Sequence, residues 1–281
     1  MPLPRQFALA PLTLIELTPP ELVHAATVAG YDAVGLRLSP FRKGEAPHPM
    51  LSLGGARAPM LIETEQRLRD GGLQVLDIEV MLLTAERDVT EFAPVFEAGA
   101  LLGAQHALTL IDIADPALAA ARFAALCEVA SPYGLNCALE FAAWLGIGSV
   151  HAADAVVRAA DQPNGGVMLD PFHLFRSGGS IADIATLDPA WLRYAQFCDA
   201  PAAAPATLPA ISEEARFERR MPGEGDLPLR EFIAALPPGV PLGLEVPQRQ
   251  LAQSVGAIER ATRVLRAAKM VADESAARAD L

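Results

Sequence analysis

Apolar, β-like runs alternate with helix-like segments along the whole chain, and this alternation limits the fold more than any single motif. The runs fall at residues 7–10, 33–37, 74–80, 107–111, 135–140, 166–170, 194–198 and 242–246. Helical signals lie between them. Thr18-Pro19-Pro20-Glu21 reads as a capping box with proline at the first helical position, and Gly30 supplies the stop. Further helices are predicted near 61–69 (ended by Gly71-Gly72), 91–102, from Asp115-Pro116 to 129, from the Ser149 cap to 160, near 181–185, at 229–235, and from about 254 to 271. Two stretches are predicted as long loops: a Pro/Gly-rich one after the second run, through Gly55, and an Ala/Pro-rich one at 200–224. Residues 200–209 of the latter read as a lid over a site.

About eight βα units in about 250 residues have the size and order of a closed (β/α)8 TIM barrel, an α/β fold. The strands are continuously apolar rather than alternating, as expected of a parallel sheet buried on both faces. An open doubly wound sheet would need GxGxxG after its first strand, and none is present, nor is a GxxxxGK[ST] phosphate loop. One domain over residues 1–281 is expected, with 272–281 as a frayed tail.

Composition narrows the function. Hydrophobic residues make up 52% and charged residues 20% of 281, enough apolar matter for a large core. The net charge of −12 argues against nucleic acid and anionic membrane as partners. No apolar run approaches the roughly 20 residues of a membrane helix, and no basic segment leads into an apolar stretch at the start. A soluble, cytoplasmic protein with a small-molecule substrate is expected. Cys127, Cys137 and Cys198 are scattered in apolar runs without a CxxC pair, and read as buried free thiols.

In a TIM barrel the C-terminal strand ends face the active site. Here those ends carry Arg37, Glu79, Glu140, Asp170 with His173 just beyond, Gln196 with Asp199, and Glu245. A carboxylate at the end of an apolar strand is costly unless paired, hydrogen-bonded or bound to metal. Three of them converging would raise one another's pKa values, and a divalent cation removes that penalty. Glu140, Asp170, Gln196 and Glu245 make an all-oxygen set suited to Mn²⁺ or Mg²⁺, with Co²⁺ or Zn²⁺ as alternatives. Arg37, Arg176 and Arg219 on the same side suggest recognition of a carboxylate or phosphate. Trp144, Phe141 and Phe172 are candidates for an apolar wall over a ring.

Leu139-Glu140, Leu169-Asp170-Pro171-Phe172-His173, Gln196-Phe197-Cys198-Asp199 and Leu244-Glu245-Val246 together resemble the xylose isomerase-like barrels, the sugar phosphate isomerase/epimerase group. Arg219-Arg220-Met221-Pro222-Gly223-Glu224-Gly225 is similar to the Arg-x-x-Pro-Gly-x-Gly loop of that group. The resemblance implies that Glu140 and Glu245 ligate a metal and also act as the acid/base pair. It implies that Asp170 is a pure metal ligand, that His173 bonds a substrate oxygen, and that Arg219 holds a hydroxyl or anion. Gln196 stands where many members have histidine. The leading expectation is a metal-dependent isomerase or epimerase of a keto-sugar, passing a proton between the two glutamates through an enediolate. The rival is a lyase, a dehydratase of a carboxylated cyclic ketone of the dehydroshikimate type; a non-catalytic binding barrel is a third reading. A homodimer is compatible with the resemblance.

Overall fold

The computed structural model describes residues 5–38, 48–51 and 56–279. Most of the Pro/Gly-rich stretch expected after the second strand lies outside the described residues. Eight strands are parallel: β1 (Phe7–Leu9), β2 (Ala33–Arg37), β3 (Gln74–Leu83), β4 (His106–Ile111), β5 (Asn136–Glu140), β6 (Gly165–Val167), β7 (Ala195–Phe197) and β8 (Leu242–Leu244). They pair in the order β6-β5-β4-β3-β2-β1-β8-β7. The two ends meet through a parallel bridge between Leu169 and Ala195, where the Gln196 N–H donates to the Leu169 carbonyl at 2.8 Å. The sheet is thus closed, and the chain is the TIM barrel its alternation predicts.

Around it lie α1 (Pro19–Ala29), α2 (Pro59–Gly71), α3 (Ala93–Leu101), α4 (Pro116–Ala130), α5 (Val150–Ala160), α6 (Pro171–Arg176), α7 (Ile181–Ile184), α8 (Leu208–Phe217), α9 (Leu229–Ala235), α10 (Arg249–Ala252) and α11 (Ala257–Ala279). The expected capping box opens α1, with the Thr18 N–H donating to Glu21 Oε2 at 2.9 Å. Gly30 closes it at φ +84°, where a side chain would be strained.

Side chains alternate between two cores. Leu9, Val34, Ile78, Leu139, Phe197 and Leu244 face the helices, meeting Phe96, Phe123 and Phe232. Ala8, Ala33, Ala138, Leu76, Leu108, Met168 and Tyr194 fill the barrel interior, small residues facing large ones.

Three elements differ from the sequence reading. The segment 200–224 contains α8, capped by Thr207 Oγ1, which accepts from the Ala210 N–H at 3.3 Å, and anchored by buried Ile211 and Ala215 four residues apart. Asp170-Pro171, read as the end of a strand, opens α6: Asp170 Oδ1 accepts from the Phe172 N–H at 2.7 Å. The last helix is also broken after α10 and continues to Ala279, past the stop expected at 271.

Asp77 is buried in the interior, where Tyr194 Oη donates to its Oδ2 at 3.1 Å while the Tyr194 ring stacks on His106 at 4.9 Å. Burial, with help from the charge of Glu245, pushes its carboxyl up to about 7 against the Tyr194 hydrogen bond. A carboxyl raised on folding contributes stability that is complete below its unfolded value near 4 and lost as pH rises through 7. Asp77→Asn keeps a partner for Tyr194 but cannot ionise. At pH 8 it should be more stable than wild type by up to roughly 4 kcal/mol, and the gap should close by pH 4.5. Urea titrations at both pH values measure it; an equal difference at both would contradict the assignment.

Candidate active site

The mouth is built from buried charges. Glu140 ends β5, Asp170 caps α6, Gln196 is in β7, Glu245 follows β8, and Arg219 follows α8; all five are buried. Arg219 joins two of the carboxylates. Its Nη1 pairs with Asp170 Oδ2, its Nη2 lies 2.8 Å from Glu245 Oε2, and its Nε donates to the Ala215 carbonyl at 2.8 Å. The guanidinium also lies 4.8 Å over the Phe172 ring. Gln196 Nε2 donates to Glu245 Oε1 at 3.1 Å. His173 Nε2 stands 3.4 Å from Glu140 Oε1, and the Trp144 ring is 5.4 Å from the imidazole.

Several buried polar atoms have no hydrogen-bond partner among the described residues: Glu140 Oε1, Gln196 Oε1, His173 Nδ1, Glu79 Oε1 and Arg37 Nε. Buried polar groups are normally satisfied, so a cluster of orphans in one place marks where a ligand completes the structure.

The charges are uneven. Burial pushes the Glu140 carboxyl well up, and the charges of Glu245 and Asp170 push it further. Burial also raises Glu245, against the pull of Arg219. For Asp170, burial works upward, but Arg219, His173 and the hydrogen bonds outweigh it and hold the carboxyl below its usual range. Burial drives His173 down to about 4, so its imidazole is neutral. Glu79, Glu140, Asp170 and Glu245 outnumber the guanidiniums of Arg219, Arg37 and Arg216 at the mouth by one.

A divalent cation suits both that excess and the orphaned oxygens. Glu140, Asp170 and His173 form a buried group whose ligand atoms lie within 4.8 Å of one another and could bind a metal. Glu140 Oε1 and Gln196 Oε1 accept no hydrogen bond among the described residues and are available as ligand atoms. The residues present fit the ion.

A cavity of about 230 Å³ opens above these groups. Glu79, Glu140, His173, Arg219, Glu245 and Arg37 form its polar side, while Leu12, Ile15, Val80, Leu108, Leu110, Ala142, Trp144 and Phe217 supply apolar wall.

The Arg-Arg-Met-Pro-Gly-Glu-Gly loop owes its shape to Asp199. This buried carboxylate accepts from four backbone N–H groups: Ala200 and Leu227 on Oδ1 at 2.8 and 3.1 Å, and Gly223 and Gly225 on Oδ2 at 3.0 Å each. A β-carbon on Gly225 would come within 2.4 Å of Asp199 Oδ1, so the approach requires glycine. Residues 199 and 220 also pair as an antiparallel bridge. Asp199 is thus the anchor of the arm that carries Arg219.

Of the residues expected at the site, Glu140, Glu245, His173, Arg219, Arg37 and Trp144 line the cavity. Asp170 and Gln196 touch it through Arg219 and Glu245. Arg176 does not belong there. Its guanidinium is buried between α6 and α8, held by Glu214 through two bonds of 2.9 Å and by the Pro201 carbonyl. Phe141 and Phe172 are wholly buried packing residues, not walls. Arg216 and Phe217 of α8 do line the cavity, and the reading of 200–224 as loop concealed them. Glu79, seen in the sequence as a strand end but not placed in the site, is also in the wall.

A closed barrel with buried carboxylates, an amide and a neutral imidazole at its C-terminal mouth defines a TIM-barrel protein with a metal-competent site. The family model described as xylose isomerase-like TIM barrel matches residues 23–268, and the chain belongs to that family. The 3-dehydroshikimate dehydratase of Pseudomonas aeruginosa is 35% identical over 138 residues, 48% of this chain but 21% of that protein. The chain therefore matches about a fifth of the length of that curated relative. Among solved structures, a xylose isomerase-like TIM barrel/4-hydroxyphenylpyruvate dioxygenase fusion protein superposes with a TM-score of 0.81 at 21% identity, covering 98% of this chain and 44% of that one. An IOLI protein with a bound zinc atom superposes at 0.76 and 17% identity, covering 97% and 98%. A D-psicose 3-epimerase solved in the presence of D-fructose superposes at 0.69 and 15%, covering 95% and 99%. These structural likenesses establish the shared fold.

A structural Arg176 makes a clear prediction. Glu214→Met, which strands the guanidinium, should cost about 3–5 kcal/mol in urea denaturation, whereas Arg176→Met with Glu214→Met should restore most of it. A double variant as unstable as the single one would argue against a closed pair.

Proposed function

We propose that the protein is a divalent-metal-dependent lyase that removes water from a carboxylated cyclic ketone. The observation that carries this reading is the placing of Arg37 and Arg216 in one small cavity with Glu140 and Glu245, beneath a largely apolar wall. A planar ring acid fits such a pocket: its carboxylate meets guanidinium and its ring meets Leu108, Leu110, Trp144 and Phe217. An open-chain keto-sugar would leave more hydroxyls facing apolar side chains. The 35% identity to a dehydratase over half of the chain supports the same choice.

Glu140, Asp170, Gln196 and Glu245 would hold the cation, which when bound stabilises negative charge developing on a carbonyl oxygen. The remaining chemistry belongs to the chain. Glu245 is kept available as a base by Arg219 and the Gln196 amide, and takes the proton from the carbon beside the ketone. The carbon–oxygen bond to the β-hydroxyl then breaks. Glu140, entering the step protonated, gives its proton to the departing oxygen, and water leaves. Solvent returns the proton from Glu245 to Glu140. Neutral His173 bonds a substrate oxygen beside Glu140.

Incubation of Mn²⁺- or Mg²⁺-loaded protein with 3-dehydroshikimate should produce rising ultraviolet absorbance as the product becomes conjugated. A chelator should stop it and added metal restore it. Glu140→Gln and Glu245→Gln should each lower kcat by about 10²–10⁴. Full activity in both variants would overturn the roles. Deuterium uptake into a panel of keto-sugars, with no ultraviolet change on the keto-acid, would instead establish the epimerase; neither signal would indicate a binding barrel.

A further inference from the structure

Among the described residues that line the cavity, Glu79 is the carboxylate that the proposed cation set and acid/base pair leave unused. Its residue is 1% exposed, on β3, across the barrel from the β5–β8 ends that carry the other acids. Among the described residues Arg37 is the cation that reaches it, with Nη2 at a long 3.5 Å from Oε2. Glu79 Oε1 has no partner among the described residues, and neither has Arg37 Nε. Both residues line the cavity beside Val80, Leu108 and Leu110. An apolar side chain would complete that wall at no electrostatic cost, so the carboxyl marks a place where the ligand supplies a donor.

The donor's chemistry follows from the surroundings. A second anion would be repelled by Glu79, and a cation by Arg37 beside it. A neutral hydroxyl has neither difficulty: it gives its hydrogen to Glu79 and offers lone pairs to the Arg37 N–H. We infer that Glu79 and Arg37 form a hydroxyl-binding subsite, Glu79 Oε1 accepting from a ring hydroxyl of the substrate while Arg37 fixes the carboxylate in place. Together with the proposed lyase reading, on which the choice of ring acid rests, this defines the substrate as a hydroxylated cyclic acid and makes Glu79 a specificity residue.

The test compares shikimate, a trihydroxycyclohexene carboxylate, with cyclohex-1-ene-1-carboxylate, which lacks the hydroxyls. Binding of each to the Mn²⁺-loaded protein is measured by calorimetry. Wild type should prefer the hydroxylated probe by about tenfold, the effect of satisfying a buried carboxyl that the bare ring leaves without a hydrogen bond. Glu79→Leu should abolish the preference, and should do so by weakening shikimate binding. Glu79→Gln, which keeps size and an acceptor oxygen, should retain part of it. An undiminished preference in Glu79→Leu overturns the subsite. If that variant binds neither probe, Glu79→Gln decides, and equal affinity for shikimate in wild type and Glu79→Gln is the overturning result. The two proposals separate: product from 3-dehydroshikimate with unchanged KM in Glu79→Leu removes the subsite and keeps the lyase. Lost preference without any product removes the lyase and keeps the subsite. Failure of wild type to bind either probe overturns the subsite, and the ultraviolet assay on 3-dehydroshikimate alone then decides the lyase.

Discussion

A guanidinium taken fully out of water needs anions and acceptors for its N–H groups, and Arg219 finds them in Asp170, Glu245 and the Ala215 carbonyl. The rest of the mouth depends on that arrangement. Asp170 opens α6, Glu245 follows β8, and Ala215 is in α8, so one side chain ties three elements that are distant in sequence. Removing Arg219 would leave two buried carboxylates facing each other, whereas removing either carboxylate would strand a buried cation. The position is held from both directions, and the Phe172 ring beneath the guanidinium restricts it further.

The loop that delivers Arg219 shows how a short motif can be structural in one half and functional in the other. Pro222, Gly223 and Gly225 serve the turn, because Asp199 can collect the N–H groups of residues 223, 225 and 227 only if the backbone passes close to its carboxylate. Arg219 at the other end is then fixed by the Asp199–Arg220 bridge one residue away. On the opposite side, Arg176 and Glu214 hold α8 against α6, so the Ala215 carbonyl stays where Arg219 Nε needs it.

The barrel and most of its mouth were legible in the sequence because each depends on local signals. Apolar runs of strand length gave the sheet, and polar residues ending them gave Glu140, Gln196 and Glu245. What escaped was encoded by partners distant in the chain. Arg176 falls after a strand on the active-site side, as a substrate arginine would, and only the fold brings Glu214 to it from 38 residues away. The helix α8 was hidden by alanine and proline, although Thr207 before Leu-Pro and the Ile211/Ala215 spacing were available signals. Glu79 carried the strand-end signal too, but nothing in sequence distinguishes a carboxylate facing a cation from one facing an arginine.

Gln196 shows what the polar network selects. An imidazole at this position could donate to Glu245 or offer a nitrogen to a metal, and would change charge near neutral pH. The amide does both jobs without titrating: Nε2 donates to Glu245, and Oε1 is left unpartnered as a donor atom. The donor atoms gathered here are carboxylate and amide oxygens with the His173 imidazole nitrogen beside them, a set open to several divalent ions. Because neutral amide oxygen is a weak ligand, the carboxylates must supply most of the attraction. The excess of buried carboxylates over guanidiniums at the mouth is consistent with that demand. The net charge of the chain therefore does not describe the pocket: Asp170 and Glu245 are directed at Arg219 and Glu79 at Arg37, while Arg37, Arg216 and Arg219 line the cavity beside the acids.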